Sequence, residues 1–197
     1  IAREGRHLAR TAMAAAGGPA RIAALKGLIY CGVSLPDSDR WLHQGLKLLE
    51  AEIIRQVLPD GGHASRNPSM QLAIFADLIA LQETLAAAHI LVPGWIPETI
   101  DKMAPLLRAL RHGDGGLAMF NGAAAEDPAI IDWLLARANV KMRTAASAPH
   151  SGFHRIASGR TTVIIDAGNP PPASANRWSH AGTLSFEMSA GRERLIV

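Results

Sequence analysis

Apolar positions recur every three or four residues through the first half of the chain, then give way to short alternating runs. Residues 1–16 are rich in alanine and arginine with no breaker beyond Gly5, which predicts a helix stopped by Gly17-Gly18-Pro19. Residues 20–33 (ARIAALKGLIYCGV) predict a second, apolar helix ending before Leu35-Pro36-Asp37. Ser38 or Asp39 can cap a third, whose Leu42, Leu46, Leu49, Ile53 and Val57 share one face. Pro59-Asp60-Gly61-Gly62 ends it. Asn67-Pro68, a cap followed by a first-turn proline, opens a fourth helix with the stripe Leu72, Phe75, Ile79, Gln82 and Leu85. A fifth starts at Pro97-Glu98 and carries Ile100, Met103, Leu107 and Leu110. Pro105 is expected to kink it, and Arg111-His112-Gly113 reads as its basic end and glycine stop.

Beyond Gly113 the pattern changes. Gly116 to Asn121 predicts a short strand, and Pro128 to Ala138 a short helix. After Pro149 the signals are β: Gly152 to Ile156, Thr161 to Ile165, Leu184 to Met188, and Arg194 to Val197, with a hairpin-like turn at Ser158-Gly159-Arg160. Helices followed by strands imply an α+β chain with segregated layers or two domains, here a helical part over residues 1–112 and a sheet part over 113–197.

Composition narrows the function classes. A chain of 197 residues, 48% hydrophobic and 19% charged, can bury a core. Its formal charge of +3 is too small to argue for nucleic acid and is compatible with an acidic polymer. Cys31 is the single cysteine, so no internal disulfide can form, and its apolar helical setting predicts a buried small hydrophobe. No run approaches the roughly 18 apolar residues of a membrane span. No signal peptide is visible, and a start without Met and a stop inside an apparent strand read as a fragment of a longer protein. Ser151 and Ser185 lie outside any strand-to-helix nucleophile elbow. The GDGG run lacks the Lys-Ser/Thr of a phosphate-binding loop, and there is neither an EF-hand nor a cysteine-based zinc pattern.

Two separated motifs carry the chemistry. One is Pro59-Asp-Gly-Gly-His63-Ala-Ser-Arg66-Asn67-Pro68, at the junction of two predicted helices. The other is Ser179-His180-Ala-Gly-Thr-Leu-Ser-Phe186-Glu187, at the head of a strand. His63 has the near-neutral pKa that suits proton transfer, or it is a loop histidine. Arg66 can pair bidentately with a carboxylate or sulfate, or form an ordinary ion pair. Asn67 can donate to a carboxylate or act as a plain cap. His112 and Asp114 form a polar pair in HGDGG, or a helix-end connector. His150 and His154 would share a strand face with Gly152. Trp178 can stack on a sugar ring or pack under its loop.

Taken with the helical pairs, these motifs resemble the heparinase II/III-like polysaccharide lyases. LPDGGHASRNPSMQ resembles the end of that family's α/α toroid. RHGDGGLAMFNGA, APHSGFHRIASGRTTVIIDAG and SHAGTLSFEMSAGRERLIV resemble the opening strands of its antiparallel β-sheet (β-sandwich) domain. The resemblance implies eliminative cleavage of a uronate polysaccharide, in a periplasmic or cell-envelope setting. Such a reaction needs a donor that neutralises the uronate carboxylate, a base for the C5 proton and an acid for the leaving oxygen. It assigns His63, His180, Asn67 and Arg66 to the catalytic set, and Arg66, His112, His154 and Trp178 to substrate contacts. The chain also departs from the pattern. Met70 stands where the family's Glu-Arg-Ser-Pro-x-Tyr-His motif has its catalytic tyrosine, and Tyr30 is the chain's one tyrosine. His180 is the one survivor of a His-x-His-x-Asp motif that in some members holds zinc, so no metal or other cofactor is expected. The first expectation is therefore a lyase with replaced proton-transfer groups. The alternative is a non-catalytic glycan-binding or cell-envelope assembly protein on the same scaffold, and the third reading is a helical interaction domain with an unrelated β-tail.

Overall fold

The computed structural model describes residues 1–141, 143–172 and 182–197. They form two compact units, Ile1–Gln56 with Leu81–Trp95, and Val57–Ala80 with Ile96–Val197.

The first unit is helical. It holds α1 (Ala2–Thr11), a short 3-10 turn at Ala12–Ala14, α2 (Pro19–Ser34), α3 (Asp39–Gln56) and the last turns of α4 (Pro68–Ala87). The single helix expected over 1–16 is thus a helix plus a 3-10 turn. α2 buries Ile22, Leu25, Leu28, Ile29 and Cys31. Glycines let the helices close up: a Cβ on Gly32 would meet the Leu42 backbone, and one on Gly5 the Trp41 ring. α3 ends at Gln56, and its buried face is Trp41, Leu42, Gly45, Leu49, Glu52 and Ile53. Leu46 is only half-buried and Val57 lies outside the helix, so the expected stripe shifts by part of a turn. Ser38 does not cap α3 through its side chain. Its hydroxyl donates back to the α2 carbonyl of Gly32 at 3.0 Å, satisfying the end of the preceding helix. The Glu52 carboxylate is fully buried and accepts from Gly18 N at 2.7 Å, Arg55 Nη2 at 2.7 Å, Gln56 Nε2 at 3.0 Å and Arg21 Nη1 at 3.2 Å. Burial alone would raise its pKa, but these four donors outweigh burial and hold it below the ordinary value.

The second unit opens with the turn at 57–67 and the start of α4. It continues through α5 (Trp95–Ala109) and α6 (Pro128–Ala138) into a five-stranded antiparallel meander. Asn67 caps α4 as expected, its Oδ1 accepting Met70 N at 3.0 Å. By length and composition α4 could cross a membrane, against the expectation that no stretch qualifies. Here Leu72, Ile74, Phe75, Leu78, Ile79, Leu81 and Leu85 are all buried in protein. α5 begins at Trp95, before the proline expected to start it, and remains one helix through Pro105. α6 has the expected bounds, with Asp127 Oδ1 accepting Ala129 N at 2.8 Å and Pro128 in the first turn.

The strand expected over 116–121 is absent. Arg111 and Leu117 form an isolated antiparallel bridge, and Phe120–Gly122 is a 3-10 turn with Asn121 at φ 53°. Leu117, Ala118 and Phe120 are all inside, so the segment lacks the in-and-out alternation of a half-buried strand.

The sheet consists of β1 (Ser147–Ala148), β2 (Phe153–Ser158), β3 (Thr161–Asp166), β4 (Ser185–Ala190) and β5 (Glu193–Ile196), paired in sequence order. Gly159-Arg160 turns β2 into β3, as the sequence predicts. Pairing Thr162 with Ser189 and Ile164 with Glu187 puts one row of residues on a common face. That inner row is Thr162, Ile164, Asp166, Glu187 and Ser189, all buried. An inner sheet face this polar must find partners for its carboxylates.

Candidate functional site

The two buried carboxylates of the sheet, Asp166 and Glu187, organise two polar clusters in the second unit. The first begins at Pro59–Gly62, where Leu58 N donates to Gly62 O at 2.7 Å and Val57 bridges to His63. Gly61, at φ 82°, lies so close to the Lys102 carbonyl that a side chain could not fit. Asp60 Oδ2 accepts from Ser151 N at 2.7 Å and from Ser151 Oγ at 3.1 Å, fixing the turn to the segment before β2.

Arg66 is the centre of this cluster. It sits at φ 55° and is 5% exposed. Its Nε donates to Ser151 O at 2.8 Å, Nη1 donates to Asn169 O, and Nη2 is ion-paired with Asp166 Oδ1. Its Cζ lies 5.7 Å from the centroid of the Phe153 ring, which stacks in turn on Phe120. Burial lowers the guanidinium's pKa. Asn121 closes the cluster. Its Nδ2 donates to Asp166 Oδ2 at 2.8 Å and to Arg66 O at 3.0 Å, while Asn67 Nδ2 donates to Asn121 O at 2.9 Å. The strained conformations at Arg66 and Asn121 are therefore held by each other's hydrogen bonds.

His63 is 3% exposed. Its Nδ1 accepts Ser65 N at 3.2 Å and lies 2.7 Å from Ser65 Oγ, which leaves the ring proton on Nε2. Among the described residues Nε2 has no hydrogen-bond partner. Burial pulls the imidazole pKa down to about 4, so the ring is neutral near pH 7.

The second cluster surrounds Glu187. His112, also buried, has Nε2 3.0 Å from Glu187 Oε2 and Nδ1 2.9 Å from Ser189 Oγ. Met119 N donates to Glu187 Oε1 at 2.6 Å. Arg194 reaches Glu187 Oε2 at 3.4 Å and clamps Asp114 through Nε at 2.7 Å and Nη2 at 3.3 Å. That Arg194 hydrogen bond holds the Asp114 carboxyl below its usual range. His112, buried, and Asp114, partly exposed, thus share one structural network through Glu187 and Arg194.

Of the residues expected at a site, His63, Arg66 and Asn67 come together in the first cluster and His112 lies in the second. His154 is exposed on β2, 3.1 Å from Ser147 Oγ. His150 does not share its strand face, because residues 149–152 form a turn with Gly152 at φ 77° and the strand starts at Phe153. His180 and Trp178 lie outside the described residues. Among the described residues no three His, Cys, Asp or Glu side chains converge as metal ligands. Sequence reasoning missed Asp60, Asp166 and Glu187 as the organising acids. The available signal was the strand alternation, which puts Asp166 and Glu187 on the same face as Ile164.

Comparison with known proteins agrees with this architecture. The Heparinase II/III N-terminus family model matches residues 1–138, and the Heparinase II/III-like C-terminal model matches 141–197. The chain belongs to the heparinase II/III-like family. A crystal structure of heparinase III superposes with a TM-score of 0.72 at 15% identity, over 90% of this chain and 34% of that one. Heparan sulfate lyase HepC from Pedobacter heparinus superposes at 0.71 with 20% identity, over 94% of this chain and 33% of that one. The fold is therefore that of the heparinases, toroid helices followed by an antiparallel sheet. A curated relative, FtsZ-localized protein C of Caulobacter vibrioides, is 34% identical over 202 residues, spanning 100% of this chain and 34% of the relative. The chain thus covers about a third of the length of each of these proteins.

Proposed function

We propose that this chain belongs to a protein that uses the heparinase II/III scaffold for binding and assembly rather than for eliminative cleavage, localising with FtsZ. The observation that carries this reading is the state of Arg66. A guanidinium meant to neutralise a substrate carboxylate must present free donors to the cleft. Arg66 is buried and committed to Asp166, Ser151 O and Asn169 O. Asn67 is spent on its cap and on Asn121. Met70, which cannot move a proton, holds the place of the family's catalytic tyrosine. The FtsZ setting comes from the name of the 34%-identical relative.

The second reading is a lyase acting on an acidic, uronate-type polysaccharide. His63 favours it, because a neutral buried imidazole whose Nε2–H has no partner among the described residues is a donor awaiting an acceptor. In that reading His180 and Trp178 supply the remaining proton transfer and sugar contact. The test uses the full-length protein and a panel of uronate polysaccharides, following the ultraviolet absorbance of the new C4–C5 double bond. The binding reading predicts a flat trace on every substrate. An absorbance rise that disappears in His180→Ala or His63→Ala would establish the lyase instead.

A further inference from the structure

We propose that the first unit carries a site of its own, a cationic groove between α1 and the start of α3 that binds an acidic peptide segment. This inference rests on the reading of the protein as one that assembles with other proteins. α1 buries Gly5 and half-buries Leu8 and Ala9, and the opposite side presents Arg3, Arg6, His7 and Arg10, all exposed. Gln44 Nε2 donates to Ala9 O at 2.9 Å and so lays the first turns of α3 along α1. Arg40 and Lys47 lie about one turn to either side of Gln44 on the same helix and are exposed. Between the helices runs an open groove of roughly 340 Å³ lined by Arg6, Ala9, Arg10, Arg40, Trp41 and Gln44.

The charge is concentrated here. The α1 residues 2–11 and the α3 residues 39–47 together contain five Lys or Arg against two Asp or Glu, a net +3 equal to that of the whole chain. α1 holds a single acidic side chain, Glu4. An ordinary solvated helix face mixes both signs, whereas the charges that line this groove, Arg6, Arg10 and Arg40, are all positive.

The lining selects among polyanions. A sugar ring needs an open aromatic face, but Trp41 is 6% exposed and Arg40 lies over its ring at 5.6 Å. A lipid surface takes up apolar side chains that can enter it, and the groove exposes guanidinium groups instead. Guanidinium forks favour carboxylates. Arg6 and Arg10 are separated by about 6 Å of helix rise. Side chains on one side of an extended peptide repeat at about 6.7 Å, so successive acidic residues can meet successive arginines.

The experiment measures fluorescence anisotropy of a labelled deca-glutamate peptide with the full-length protein at low ionic strength. Saturable binding is expected, weakened about tenfold or more by the double variant Arg6→Glu/Arg10→Glu and unchanged by Arg192→Glu, an exposed charge reversal in the second unit. Circular dichroism keeps loss of fold separate from loss of binding. Absence of peptide binding, or binding indifferent to the double variant, overturns the proposal. So does tighter binding to phosphatidylserine vesicles or to polyuronate that the double variant abolishes, since either assigns the groove to another partner. Lyase activity with peptide binding intact would remove the functional reading and leave the groove. A flat lyase trace without peptide binding would do the reverse.

Discussion

Acidification from pH 7 to pH 4 is expected to destabilise the protein in a way that one residue, His63, makes measurable. In the unfolded chain its imidazole takes up a proton near the ordinary 6.5, whereas in the folded protein burial delays that step to about 4. Between those values the unfolded state binds more protons. Stability is therefore full above pH 6.5 and is lost progressively as the pH falls toward 4. Each pKa unit is worth about 1.36 kcal/mol, so the interval amounts to about 3 kcal/mol, a large share of the 5–15 kcal/mol typical of a folded domain. The assay is urea denaturation at steps across this range, on the wild type and on His63→Gln. The variant loses the Ser65 contacts and starts lower at neutral pH, but its profile should be flatter by about 3 kcal/mol across the window. Every other titrating group is common to both proteins and cancels in the difference. Parallel profiles would refute the reasoning, because they would mean that His63 protonates equally in both states.

Two further perturbations probe the same unit. Asp166→Asn strands the buried Arg66 guanidinium and should cost about 3–5 kcal/mol in urea denaturation, and combining it with Arg66→Met should cost less than the two single losses together. Strict additivity would mean that the pair is not coupled. Gly152→Ala adds a Cβ against the Gly168 backbone at φ 77° and should cost about 2 kcal/mol or more, whereas Gly159→Ala, at φ 56° in open space, should cost about 1 kcal/mol. Equal shifts in the denaturation midpoint would show that the overlap at Gly152 is absent.

Local chemistry made most of the fold legible. The Asn67-Pro68 start of α4, the bounds of α6 and the turn at Gly159-Arg160 each follow from one or two residues with a fixed backbone preference. Long-range pairing decided the rest. Gly116 to Asn121 reads as a strand because its residues are apolar enough, but Asn121 is drawn into a left-handed conformation by Asp166, 45 residues away. Ser38 looks like a cap for the helix after it, and its hydroxyl is taken by the helix before it. The candidate site behaved the same way. The sequence singled out His63, Arg66 and Asn67 by their place in a motif, and they do lie together. What each one binds depended on Ser151, Asn169 and Asp166, which no spacing along the chain connects to residue 66.

That dependence explains why the family motifs agree as a set. The Asp-Gly-Gly turn, Ser151-Gly152, Asp166-Ala-Gly168 and Asn121 form one interlocked contact. Asp60 holds Ser151, Ser151 O and Asp166 hold Arg66, and Asn121 joins Asp166 to the Arg66 backbone. Gly152 and Gly168 are glycines because neither approach leaves room for a side chain. A buried polar network that is partly satisfied costs more than an apolar core, so losing any one member penalises the others. The whole group is therefore retained or lost together on stability grounds alone, whether or not a substrate is ever cleaved. Met70 lies at the edge of that network, contributing only a backbone N–H to the Asn67 cap, so it can vary without disturbing the rest.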